Sequence, residues 1–210
     1  MRSFDEILKE FEDFFKMEQN SDAKIDGVKG RDIYRDLEID FMTSVQGSSQ
    51  TITFPRKETT KVQQVEETVK IPKGVFDGLH LRMKGKGNES EKGKHGDLLI
   101  KVKVKPDLYY SREGINIKSD LYISATQAIL GGSADVTTIH GKQTIDIAPG
   151  SVDGTQHILA KKGFNKLPPN DSQRGDHVIT LKIAVPSKLT EAQRKALQAY
   201  AAIEPKPDNI

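Results

Sequence analysis

A basic, glycine-rich run, Lys84-Gly85-Lys86-Gly87-Asn88, is the first stretch whose residue types could hold a charged ligand. A phosphate cradle needs Gly-Lys-Ser/Thr opening a helix, so that backbone N–H groups and the helix dipole face the anion. Here a β-rich stretch follows, and a solvated loop is expected instead. The histidines, His80, His95, His140, His157 and His177, include no HExxH motif and no i,i+4 pair. The chain has no cysteine, which removes disulfides, thiolate metal ligands and a cysteine nucleophile together. His95-Gly96-Asp97 and Asp176-His177 set an imidazole beside a carboxylate, the raw material of a general base. The Gly-Asp pair recurs while the histidine changes sides, so a turn aspartate bonding its own backbone is the simpler expectation. Ser124 and Ser133 have no neighbouring base and no nucleophile-elbow context. No catalytic constellation emerges, and no enzyme activity, metal or cofactor is expected.

The apolar residues carry more. Ile33, Arg35, Leu37 and Ile39 alternate with Tyr34, Asp36 and Glu38, the period of a half-buried strand with one charged intruder on its apolar face. Thr51–Phe54, Val65–Ile71, Leu98–Val104, Thr144–Ile147 and Val178–Val185 follow the same rule. Pro-Lys-Gly and Pro-Gly, each followed by Asp-Gly, mark turns between them. Two segments have helical spacing instead. Phe4, Ile7, Leu8, Phe11, Phe14 and Phe15 form one apolar stripe near the amino terminus. Thr190-Glu191-Ala192-Gln193 reads as a capping box, ahead of a stripe of Ala196, Leu197, Tyr200 and Ala201 that Pro205 stops.

These elements belong to a duplicated unit. Asp32-Ile33-Tyr34-Arg35-Asp36-Leu37-Glu38-Ile39 is echoed by Asn116-Ile117-Lys118-Ser119-Asp120-Leu121-Tyr122-Ile123. Ile71 to Gly78 is echoed by Ile147 to Gly154, Gly87 by Gly163, and Gly96-Asp97-Leu98-Leu99-Ile100 by Gly175-Asp176-His177-Val178-Ile179. The offset is 84 at the first block, 76 at the second and 79 at the last. The first copy therefore carries 8 extra residues around Arg56–Gln64, and the second 3 extra in Asn165–Arg174, which contains Pro168-Pro169-Asn170. Both insertions are expected in surface loops.

At 210 residues the chain has room for two such units of about 100 residues each. The 32 Lys and Arg nearly balance the 30 Asp and Glu, leaving a net +2 that does not suggest a nucleic-acid binder. No run approaches the roughly 20 apolar residues of a membrane span, and no signal or transit peptide is visible. The expected fold is all-β: two tandem β-sandwich-like subdomains with an amino-terminal amphipathic helix and a short carboxy-terminal helix. The expected divisions are 1–29 for the first helix and linker, 30–108 and 109–187 for the subdomains, and 188–210 for the last helix and tail. The subdomains join near Pro106–Gly114.

Taken in order, these blocks resemble the carboxy-terminal domains of DnaJ-type co-chaperones, the J-domain or heat-shock 40-kDa family. The carrying segments are Asp36 to Ile39 with Gly47, Val69 to Gly78, Leu81 to Gly87, Gly96 to Val102, and Arg112-Glu113-Gly114. Asp120 to Ser124, Gln127 to Gly132, Ile147 to Gly150, Arg174 to Asp176 and Leu189 to Arg194 complete the set, which covers about Gly30 to Ala202. The family's J domain carries a His-Pro-Asp tripeptide, and many members carry four Cys-x-x-Cys motifs. Neither occurs here, so the resemblance is to the client-binding region without the J domain and zinc module.

The resemblance implies a groove on the opening strands of the first subdomain, where an unfolded polypeptide adds as an extra strand before transfer to a 70-kDa heat-shock chaperone. It places that groove on Ile33, Leu37, Ile52, Phe54 and Tyr110. The carboxy-terminal helix is implied to make a homodimer through Leu189, Leu197, Tyr200 and Ala201. A cytoplasmic setting is expected, with a mitochondrial or other organelle matrix as the alternative. Partners are unfolded polypeptides and the 70-kDa chaperone, with no nucleic acid and no membrane. The competing reading is a structural subunit of a larger assembly, descended from a J-domain protein.

Overall fold

The structure is a computed structural model that describes residues 29–203. The expected helix over Phe4–Phe15 lies outside the described residues, as does the tail from Glu204. The first repeat forms β1 (Ile33–Ile39), α1 (Phe41–Gln46), β2 (Ser48–Lys57), β3 (Val62–Ile71), β4 (His80–Met83) and β5 (Leu98–Val104). The second forms β6 (Ser111–Glu113), β7 (Asn116–Ser124), α2 (Ala125–Leu130), β8 (Gly132–Thr138), β9 (Gly141–Ile147), β10 (Gln156–Leu159) and β11 (His177–Ala184), before α3 (Glu191–Ile203). The fold is all-β, as the alternation predicts. The two six-residue helices α1 and α2 are additions that so short a period cannot announce.

In the first repeat β1 runs parallel to β5, with Ile33 opposite Leu98 and Ile39 opposite Val104, while β4 pairs antiparallel on the other side of β5. The hairpin β2–β3 is a separate antiparallel pair, with Ser48 opposite Ile71 and Lys57 opposite Val62. Strand residues two apart share a face. Ile33, Leu37 and Ile39 of β1 therefore meet Phe54, Val69 and Ile71 of the hairpin, with Leu98, Ile100 and Val102 of β5, in one buried cluster. Ile52, Leu81, Met83 and Val104 line its margin half-buried.

The duplication holds at the level of single hydrogen bonds. Asp77 Oδ1 accepts from Val104 N at 2.8 Å, and its echo Asp153 Oδ1 accepts from Ile183 N at 2.8 Å. The Asp-Gly turn is thus clipped to β5 in the first copy and to the same position of its counterpart β11 in the second. The second repeat's sheet has the order β10–β11–β7–β6, where the first has β4–β5–β1. The strand β6 is the one addition.

The 8-residue insertion is not a loop. The span Ser48–Ile71 holds two 10-residue strands, whereas β8 and β9 have 7 residues each. The extra residues lengthen both strands of the hairpin and widen its turn, because each adds ladder hydrogen bonds that a surface loop would leave to water. Glu89 anchors the tip, its Oε2 accepting from Thr59 N and Thr59 Oγ1, both at 2.9 Å. The Asn165–Arg174 segment is closed by a bridge between its two ends and carries Leu167 onto the first cluster, leaving Pro168, Pro169 and Asn170 exposed.

By packing, the chain divides into two compact units. One comprises the described residues up to Ser119 with Thr137–Gly141 and His157–Ile179. The other comprises Asp120–Val136, Lys142–Gln156 and the described residues from Thr180. In the second unit Ile123, Ala128, Val136, Ile145, Ile147 and Leu181 are buried, and Ser124 caps α2 through a reciprocal bond with Gln127.

Candidate functional site

The residues that looked able to do chemistry turn out to hold loops. Asp97 is buried, with its carboxylate bonded by Arg82 Nε at 2.6 Å and Gly85 N at 2.9 Å, and paired with Lys29 Nζ at 2.8 Å. Its own N–H donates to Asp32 Oδ1 at 2.7 Å. The repeat copies the arrangement, since Asp176 Oδ1 accepts from Lys161 N at 2.8 Å and Asp176 N donates to Asn116 Oδ1 at 2.9 Å. The aspartate therefore binds the backbone of a neighbouring loop, not its own turn. The expected self-bonding turn is corrected. Burial opposes the charge on Asp97, but Lys29, Gly85 and Arg82 outweigh it and hold its carboxyl below the ordinary range. The paired glycines are steric. A Cβ at Gly96 would lie 2.4 Å from Arg31 O, and one at Gly175 would lie 2.2 Å from Ile115 O.

His177 and Ser119 form a contact that the sequence did not suggest, with Nε2 and Oγ 2.7 Å apart. The imidazole is fully buried and its Nδ1 has no hydrogen-bond partner, so no carboxylate orients it as a base. Burial, then nearby His140, pushes the His177 pKa down. The His177 ring meets Tyr110 edge-on, centroids 5.9 Å apart, and Tyr110 packs against a second apolar cluster of Phe41, Val45, Ile117, Ile139 and Phe164. Tyr110 lies there too, stacked on Phe41 with centroids 6.1 Å apart and donating its hydroxyl to Thr137 O at 2.9 Å. Tyr110 is therefore not brought to the cluster that holds Ile33, Leu37 and Phe54, because Phe41 and the Thr137 carbonyl claim its ring and its hydroxyl.

The other four expected groove residues do come together. Ile33, Leu37 and Phe54 share the first cluster with Ile52 at its margin. Phe54 is only 1% exposed and Ile33 and Leu37 are buried with it in that core, while Ile52 is half-buried at its margin. Beside them β1 is an edge strand. The bonds Ile33 N to Asp97 O at 2.8 Å and Lys105 N to Ile39 O at 2.9 Å fix the phase of the parallel ladder. Ile33, Arg35, Leu37 and Ile39 thus turn their backbone groups towards β5, and Tyr34, Asp36 and Glu38 turn theirs outward. Among the described residues no strand pairs with that outer side. The equivalent side of β7 is covered by β6, with Arg112 opposite Ile117.

Arg112 is the residue that sequence reasoning passed over. Its Nε donates to Gly114 O at 2.7 Å, one terminal nitrogen to Val75 O at 2.6 Å, and the other to Gly74 O at 3.0 Å. The guanidinium carbon lies 4.0 Å from the Phe164 ring centroid and 5.8 Å from that of Phe76. Burial lowers its pKa to about 10, which leaves it charged at neutral pH.

The last helix is capped as expected, with Thr190 N donating to Gln193 Oε1 at 2.9 Å and Gln193 N to Thr190 Oγ1 at 3.3 Å. None of its residues is buried; Leu197 is 48% exposed, Tyr200 44%, and Ala201 lies in the open beside them. Leu189, just before the helix, is half-buried. No helix among the described residues is long and apolar enough to cross a membrane.

Comparison with known proteins converges on one family. Residues 33–186 match the family described as DnaJ C terminal domain. A chaperone protein DnaJ of Lachnospira eligens is 40% identical over 133 residues, 63% of this chain and 35% of that protein. One of Sinorhizobium medicae is 40% identical over 169 residues, covering 78% of this chain and 44% of the relative. One of Crocosphaera subtropica is 40% identical over 145 residues, 68% of this chain and 38% of the relative. The chain thus spans less than half the length of these relatives.

Proposed function

We propose, from the premise that this chain belongs to the DnaJ C-terminal domain family, that it is a co-chaperone substrate-binding region that captures unfolded polypeptides by strand addition. The observation that carries this reading is the open outer edge of β1, lying beside an apolar floor of Ile33, Leu37 and Phe54 with Ile52 at its rim. Backbone hydrogen bonds to such an edge are indifferent to the client's sequence, while apolar contact accepts every second client side chain. That combination suits weak capture of many chains, followed by transfer to a 70-kDa heat-shock chaperone. Dimerisation through α3 complements it, since Leu197, Tyr200 and Ala201 stand exposed and two weak sites on one long client gain avidity.

The test is suppression of aggregation of a chemically denatured client, without nucleotide, by the parent chain and by Ile52→Asp. Capture by the parent and weakened capture by a folded Ile52→Asp variant are expected, because a carboxylate at an apolar contact must be desolvated or displace the client. A parent that leaves aggregation untouched at molar excess overturns the reading.

A further inference from the structure

Arg35 lies on the inward face of β1, between Ile33 and Leu37, where the alternation calls for an apolar residue. It is half-buried, and among the described residues no carboxylate pairs with it. One terminal nitrogen donates at 2.9 Å to Tyr34 O, a carbonyl on the unpaired side of the strand. The guanidinium therefore reaches the open edge itself. Charged residues turned inward at a sheet edge are a known guard against indiscriminate pairing. The duplicated unit shows what the same edge looks like when filled. β6 runs antiparallel along β7 and places Arg112 opposite Ile117, the counterpart of Ile33.

We infer that β1 is the edge that accepts the client strand and that Arg35 makes it selective for segments carrying an acidic side chain at the position opposite Arg35, between two apolar ones. This deepens the proposed function and rests on it. An incoming strand has side-chain period two, so residues facing Ile33, Arg35 and Leu37 alternate with residues facing away. The pattern selected is apolar-x-acid-x-apolar. A carboxylate there offers Arg35 a charged acceptor in exchange for the Tyr34 carbonyl, and frees that carbonyl for the incoming backbone. A lysine at the same position meets Arg35 as a like charge.

Three fluorescent peptides that differ only at the central residue of Leu-Thr-Xaa-Thr-Leu, as Glu, Gln or Lys, test this by anisotropy against the full chain. The Glu peptide is expected to bind five- to tenfold more tightly than the Lys peptide, of the order of an opposite-charge cross-strand pair set against a like-charge one. Arg35→Glu should invert the order. Where that variant does not fold, Arg35→Gln should bring the peptides to parity. Equal binding of all three by the parent, or a Glu preference that survives either variant, overturns the selectivity and leaves strand capture standing. Failure of all three peptides, together with failure to hold a denatured client, overturns both.

Discussion

Replacing Arg112 with methionine, which keeps much of the apolar stem, isolates what the guanidinium contributes. The side chain donates to three backbone carbonyls, those of Gly114, Val75 and Gly74. Charge-assisted bonds contribute roughly 1.5–3 kcal/mol each, and the desolvated stack over Phe164 about 2 kcal/mol. Against that stands the cost of burying the charge. A pKa held down to about 10 from 12.5 corresponds to roughly 3 kcal/mol, at 1.36 kcal/mol for each unit. The balance is a loss of roughly 4–8 kcal/mol, much of it because the Gly74 and Val75 carbonyls are left without donors. In a chain of this size that lowers the melting temperature by roughly 8–32 °C. Calorimetry at neutral pH, paired with urea titration, measures it. Arg112→Lys should recover less than half, since one ammonium cannot reach three carbonyls in a fork. A methionine variant within about 1 kcal/mol of the parent would refute this account of Arg112 as the tie between the Gly74–Val75 turn and the Gly114 turn.

The repeat supplies a stabilising change. Lys161 sits at φ 58°, the place held by Gly85 at φ 69° in the first copy, so Lys161→Gly should stabilise the fold by about 0.5–1 kcal/mol, read as a higher urea midpoint at an unchanged m-value. His177 predicts acid sensitivity. Its folded pKa is lowered by burial and by His140, so the unfolded chain takes up the proton first, at about 6.5, and stability falls as pH drops below that value. His177→Gln should flatten this loss in urea titrations between pH 7 and pH 5, and an equally steep loss would exonerate the imidazole. Truncation after Ser187 should leave a folded monomer that holds clients more weakly than a micromolar dimer, as sedimentation equilibrium would show. An intact chain that stays monomeric at high micromolar concentration removes α3 from assembly.

The repeat was legible because its carriers are backbone constraints. Gly96 and Gly175 admit no Cβ, and Asp77 and Asp153 clip the same strand, so drift at these places unfolds the unit. Strand phases were legible for the same reason, since Ile33, Leu37 and Ile39 must all face inward. Alternation says nothing of neighbours, however. The parallel pairing of β1 with β5, across three intervening strands, could not be read from either segment alone. Nor could the insertion's form, because Arg56–Gln64 is polar and looks like a loop until its ladder is seen. Tyr110 was misplaced because its neighbours in space, Phe41 and Thr137, lie far from it in the chain. Arg112 was quoted as part of a motif without a role, and only the three carbonyls around it give one.

The central claim is that a client adds as a strand to β1, and residue-resolved amide exchange tests it most directly. With a saturating extended peptide, exchange should slow at Tyr34, Asp36 and Glu38, whose N–H groups face outward. Ile33, Arg35, Leu37 and Ile39, already bonded to β5, should change little. Unaltered exchange at Tyr34, Asp36 and Glu38 while the peptide is bound would contradict it.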